Sequence, residues 1–127
     1  MKNIETYFDD ELHAVIWEIN GFVSFDDFVT YAKQTHSLRS INNSTKQLNN
    51  IKNMKVLSKE IQSWIDKEYF PRAKRSGLKY FAFVVPDNTF GKISMTTVND
   101  NASKKYNMEI EYFDNEQLAK DWLNTKN

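Results

Sequence analysis

The 127-residue chain contains no cysteine, which excludes a disulfide framework, a thiolate metal site and a cysteine nucleophile together. Its only glycines, Gly21, Gly77 and Gly91, stand too far apart to form a phosphate-cradling loop. With two prolines and three glycines, no internal repeat and no low-complexity stretch, the connections are expected to be short and residues 1–127 to form a single domain. No segment approaches the roughly 18 apolar residues of a membrane span. The charged start Met-Lys-Asn-Ile-Glu lacks the continuous apolar stretch of a signal peptide, so a cytoplasmic protein is expected. Net charge is absent too: 17 Lys plus Arg balance 17 Asp plus Glu, which argues against the basic footprint of a nucleic-acid binder.

What is present is 14% aromatic residues and a regular alternation of patterns. Residues Ile4 to Phe8 and Leu12 to Ile19, across the acidic turn Asp9-Asp10-Glu11, read as a strand hairpin. Ser24 precedes a segment with Phe25, Phe28, Val29 and Ala32 on one helical face, and its first-turn carboxylates Asp26 and Asp27 suit the positive end of a helix dipole. Lys46 to Lys52 is the weakest element, with only Leu48 and Ile51 apolar, and reads as a strand by position. Ser58 is the next capping candidate, opening a helix with Leu57, Ile61, Trp64, Ile65, Tyr69 and Ala73 at helical spacing, which Pro71 should kink or restart. Lys79 to Val85 is apolar on both faces, as in a strand inside a parallel sheet. Pro86-Asp87-Asn88 stops it. A helix from about Thr89 to Ser103, an edge strand over Met108 to Phe113, and a last helix capped by Asp114 with Gln117 complete the chain. The order β-β-α-β-α-β-α-β-α implies an α/β fold with parallel strands joined by right-handed crossovers, plus one antiparallel strand from the first hairpin.

Three segments carry a family likeness: Trp17-Glu18-Ile19-Asn20-Gly21-Phe22-Val23-Ser24, Trp64-Ile65-Asp66-Lys67-Glu68-Tyr69-Phe70-Pro71-Arg72-Ala73, and Phe83-Val84-Val85-Pro86-Asp87-Asn88-Thr89-Phe90-Gly91-Lys92. With them the chain resembles small stand-alone bacterial proteins of the SpoIIAA-like, or STAS-type, family. The resemblance implies a mixed sheet with helices mainly on one face, no cofactor, and a role in protein-protein regulation. It also implies a phosphorylation position at the start of the helix after the third strand, a place comparable to that of Ser58. The family's Asp-Ser pair is replaced here by Leu57-Ser58.

The chemistry-bearing residues are sparse. His13 and His36 lack the spacing of metal ligands, and no Gly-x-Ser-x-Gly elbow exposes a serine. The carboxylate pairs fall at a turn, a helix start and a wet strand face, so no catalytic, cofactor-binding or metal-binding residue is assigned, and the chain is expected not to be an enzyme. Two features remain. Charge is uneven: residues 1–40 carry three Lys or Arg against seven Asp or Glu, residues 41–80 nine against three, and residues 81–127 five against seven. Lys67, Arg72, Lys74, Arg75 and Lys79 cluster at the end of the second helix, either as a solvated helix end or as a docking patch. The patch would take an acidic partner protein, or this chain's own acidic hairpin in a homodimer. Beside it stand Trp64, Tyr69 and Phe70. Tyr69 and Phe70 lie about 100° apart on a 3.6-residue helix, so one of the two should be partly exposed, as core edge or interface anchor. The candidate partner surface is thus Trp64, Tyr69, Phe70, Arg72, Lys74 and Arg75. The alternative is a binder of a small apolar ligand such as a lipid, from the aromatic supply of Trp17, Phe22, Phe28, Phe81 and Phe83.

Overall fold

The computed structural model describes residues 3–55, 58–85 and 104–126. The expected stop at Pro86-Asp87-Asn88, the expected helix from Thr89 to Ser103 and the helix position of Leu57 lie outside the described residues. Five strands form one sheet in the order β1 (Ile4–Asp9), β2 (Ala14–Gly21), β3 (Lys46–Met54), β4 (Tyr80–Val84) and β5 (Glu109–Phe113). Strands β1 and β2 pair antiparallel, with Thr6 opposite Trp17, and every later neighbour is parallel. This is the expected mixed α/β topology.

Alternation along the strands sorts their side chains into two cores. Trp17, Ile19, Ile51, Phe81 and Phe83 face α1 (Phe25–Asn42) and the helical segment that follows β3. Ala14, Ile16, Leu48, Ala82 and Val84 face the other way, onto Ala119 and Leu123 of α4 (Glu116–Asn124). The described helices before β4 therefore lie on one face and the C-terminal helix on the opposite one. Ser24 and Ser58 cap their helices as expected, each hydroxyl accepting a backbone N–H at 3.1 Å, from Asp27 and Ile61 respectively. The last helix differs: its cap is Asn115, whose side chain accepts the Leu118 N–H at 2.9 Å, one residue beyond the expected Asp114.

The segment after β3 is three pieces in one cylinder: α2 (Lys59–Trp64), a π-helical turn (Ile65–Tyr69) and α3 (Phe70–Arg75). Proline explains the break. Pro71 has no N–H and its ring crowds the carbonyl four residues back. The chain widens to a turn in which the Phe70 N–H reaches the Ile65 carbonyl, and α3 restarts with the proline in its first turn. The wide turn also corrects the expectation about Tyr69 and Phe70. An extra residue per turn brings both onto the face below Ile65, so they are 2% and 1% exposed and neither reaches solvent.

Candidate functional site

Strand β3, the weakest element by pattern, lies at the centre of the sheet, and its polar residues point inward. Gln47 and Asn49 are buried on the same strand face as Ile51. From α1 the buried stripe Phe28, Ala32, Thr35, Arg39 descends onto them at helical spacing, its last two members polar. Arg39 is fully buried. Its Nη1 donates to Gln47 Oε1, and its Nη2 donates to His36 Nδ1 at 2.6 Å and to Ser76 Oγ at 3.0 Å. The Gln47 amide donates to Tyr69 Oη at 2.7 Å and to Asn49 Oδ1 at 2.8 Å. Thr35 donates to the Ala32 carbonyl at 2.6 Å, so at the 2.9 Å contact with Tyr69 it is the tyrosine hydroxyl that donates. One polar chain thus ties α1, β3, the π-helical turn and the end of α3 together through an otherwise apolar core.

The electrostatics follow from that chain. Burial pushes the Arg39 guanidinium below its ordinary value, with the Tyr69 hydroxyl opposing the shift. Among the described residues no carboxylate pairs with Arg39, whose Nε has no partner there. His36 is lowered to about 3, first by burial and then by the positive charges of Arg39, Arg72 and Arg75. It is therefore a neutral imidazole that accepts on Nδ1 and carries its proton on Nε2.

The same observation locates all three arginines of the chain. Lysine outnumbers arginine fourteen to three, yet Arg39, Arg72 and Arg75 all lie within electrostatic reach of one histidine. Arg39 is the buried member of the set. Arg72 is half-buried beside an exposed Arg75, and Lys74, Lys67 and Lys79 are exposed around them. Among the described residues the only ion pair in this group is Arg72 with Glu68 at 3.9 Å, a solvent-exposed helix pair of little strength.

The expected partner surface therefore divides. Tyr69 and Phe70 belong to the core, where Tyr69 packs on Trp17 and Phe70 stacks with Tyr106. Trp64 is half-buried against Phe25 and Phe28. Arg72, Lys74 and Arg75 remain at the surface, and Ser58 is exposed at the other end of the segment. The residues that sequence reading missed are Thr35, His36, Arg39, Gln47 and Ser76. Two signals were available: the α1 stripe continues past Ala32 to Thr35 and Arg39, and arginine is scarce in a lysine-rich chain.

The aromatic set invoked for an apolar ligand encloses a cavity of about 20 Å³, bordered by Trp17, Phe28, Asn49, Tyr69, Phe81 and Phe83. That is room for one water molecule, against the roughly 300 Å³ at which ligand sites begin. Phe22, the fifth aromatic of that set, is exposed. Among the described residues no three His, Cys, Asp or Glu side chains converge on a metal position, and no helix is long and apolar enough to cross a membrane.

No protein-family model matches the chain, and no curated protein matches it either. A solved structure does: an uncharacterized protein of the DUF3478 family with a SpoIIAA-like fold from Shewanella loihica PV-4. The two are 16% identical, with a TM-score of 0.65 over 94% of this chain and 91% of that one. The fold is SpoIIAA-like.

Proposed function

We propose that the chain is a non-catalytic protein-interaction module that docks an acidic protein surface on the basic end of α3. The observation that carries this reading is the gathering of all three arginines at the α1–α3 junction of a chain that otherwise uses lysine. A guanidinium offers a planar fork that matches a carboxylate with two parallel hydrogen bonds, which an ammonium does not. The buried network supports the same reading, because Arg39 bonded to Ser76 fastens the end of α3 to α1 and holds Arg72 and Arg75 in place. His36 is committed as an acceptor for Arg39 and carries no charge near neutrality, which suits a structural role better than proton transfer.

The test is capture of the partner after crosslinking in cells, using the full chain and two paired variants. Arg72→Ala with Arg75→Ala should abolish capture of an acidic protein. Arg72→Lys with Arg75→Lys should weaken it while leaving the charge unchanged. Equal recovery with all three chains, or turnover of a substrate by the purified protein, would overturn the reading.

A further inference from the structure

We infer that the acidic surface which meets this basic end is the β1–β2 hairpin of a second copy of the chain, in a two-fold symmetric dimer. The inference rests on the reading that the basic end of α3 is a docking surface. It adds the identity of the occupant.

The argument starts from topology. Strands β2 to β5 are parallel, so the segments leading into them all emerge at one end of the sheet, together with the hairpin turn before β2. Hydrogen bonds stitch that row together: Ser44 Oγ donates to the His13 carbonyl at 2.7 Å, and Lys79 N–H to the Thr45 carbonyl at 2.9 Å. At the β1 side of the row stand Asp9, Asp10 and Glu11. Asp9 and Glu11 line a shallow depression of about 270 Å³ with Leu12, Gln117, Lys120 and Asn124. Further along the row come Arg72, Lys74, Arg75 and Lys79, followed by the exposed Lys104 and Lys105 ahead of β5. The neutral chain is thus polarised across one end.

Between the two charged halves lies the C-terminal end of α1, whose last turn carries Ile41, 75% exposed. An acidic patch, an apolar side chain and a basic patch in sequence form the pattern that a two-fold axis requires. Turning a copy over lays its basic end on this hairpin and its hairpin on this basic end, with the two Ile41 side chains near the axis. The acidic depression is large enough to receive an arginine head, and its carboxylates suit the fork of Arg75.

Size sets the expected strength. Five strands about 4.8 Å apart, with a helix layer about 10 Å away on each face, present an end on the order of 500 Å². Two such ends bury about 1,000 Å², the lower bound for a specific interface. The dimer should therefore be weak and salt-sensitive.

Sedimentation equilibrium of the full chain at about 100 μM should show a monomer–dimer mixture in about 50 mM salt, with the association constant falling at least about tenfold in about 500 mM. Asp10→Lys with Glu11→Lys should be monomeric, as should Lys74→Glu with Arg75→Glu. An equimolar mixture of those two variants should form the heterodimer, since one is basic at both patches and the other acidic. Ile41→Asp should also be monomeric, and circular dichroism should show each variant folded. A monomeric wild type in low salt, a dimer indifferent to both reversals, or a mixture that stays monomeric would each overturn the inference. If wild type is monomeric while Lys74→Glu with Arg75→Glu still abolishes capture of an acidic protein, self-docking fails and the proposed function stands. If that reversal changes neither measurement, both fail.

Discussion

Replacing His36 with Asn should remove much of the acid sensitivity of this protein's stability. In the folded chain His36 has a pKa of about 3, against about 6.5 for an unfolded histidine. The folded state therefore binds fewer protons than the unfolded state across that interval. Stability from this group is fully present above pH 6.5 and is lost as pH falls through 6.5 toward 3. The slope approaches about 1.4 kcal/mol per pH unit, and integrating from pH 7 to pH 5 gives about 2 kcal/mol. The figure is an upper bound, because the ring is only partly buried and solvent screens some of the repulsion from Arg72 and Arg75. Asparagine keeps an acceptor near the position of Nδ1 for the Arg39 guanidinium but cannot be protonated. Urea unfolding followed by tryptophan fluorescence, at several pH values between 7 and 5, gives stability for both proteins. Other titrating groups contribute equally to each, so the difference of differences isolates His36. Wild type should lose more than the variant by about 1.5 to 2 kcal/mol over this range. A difference below about 0.5 kcal/mol would show that the imidazole is free to charge in the folded state, which would refute its burial against the three arginines.

Three further outcomes follow from the same network and its caps. Gln47→Leu should destabilise by about 2 kcal/mol, since it strands Arg39 Nη1 and removes a donor to Tyr69. Adding Arg39→Met should recover a large part of that loss, giving a coupling energy of at least about 1 kcal/mol in a double-mutant cycle measured by urea unfolding. Tyr69→Phe keeps the ring contacts with Trp17 and Phe81 but deletes the hydroxyl between Gln47 and Thr35. Thermal unfolding should show a loss of about 1 kcal/mol with no change of fold by circular dichroism. Ser58→Ala should cost about 1 kcal/mol through the lost cap on Ile61 N–H, and Ser58→Asp should restore most of it. Equal melting temperatures for the three Ser58 proteins would contradict the capping role.

Much of the sheet was legible in the sequence because its cues are local. Tyr80 to Val85 shows apolar side chains on both faces, and Met108 to Phe113 shows one wet face, which is where the structure places an interior and an outer strand. Strand β3 was harder for a physical reason. Gln47 and Asn49 break any apolar pattern, yet they are core residues, made tolerable by partners from elsewhere in the chain. Arg39 was hidden in the same way: a guanidinium reads as surface until Gln47, His36 and Ser76 are known to accept its hydrogen bonds. The burial of both Tyr69 and Phe70 is not legible from a uniform 3.6-residue period, because the turn over Ile65–Tyr69 is wider than that. The basic helix end, by contrast, was visible as charge density alone. Its link to the buried arginine depends on contacts 37 residues apart.

The π-helical turn makes the winding itself a determinant here. Between Ile65 and Tyr69 the chain holds one residue more than an α-helical turn would accommodate, and the surplus sits among Asp66, Lys67 and Glu68 on the solvent side. Deleting any one of these three touches no core side chain. Because the wide turn already absorbs the surplus, such a deletion would leave Phe70 and the residues after it where they stand; keeping all five residues but winding them as plain α-helix would instead rotate everything after them by about 100°. Arg72 and Arg75 would swing with that rotation, away from His36 and the end of α1. Their aim is therefore set by the winding of the backbone as well as by the Arg39–Ser76 contact, and loss of the wide turn at unchanged length would redirect both guanidinium groups.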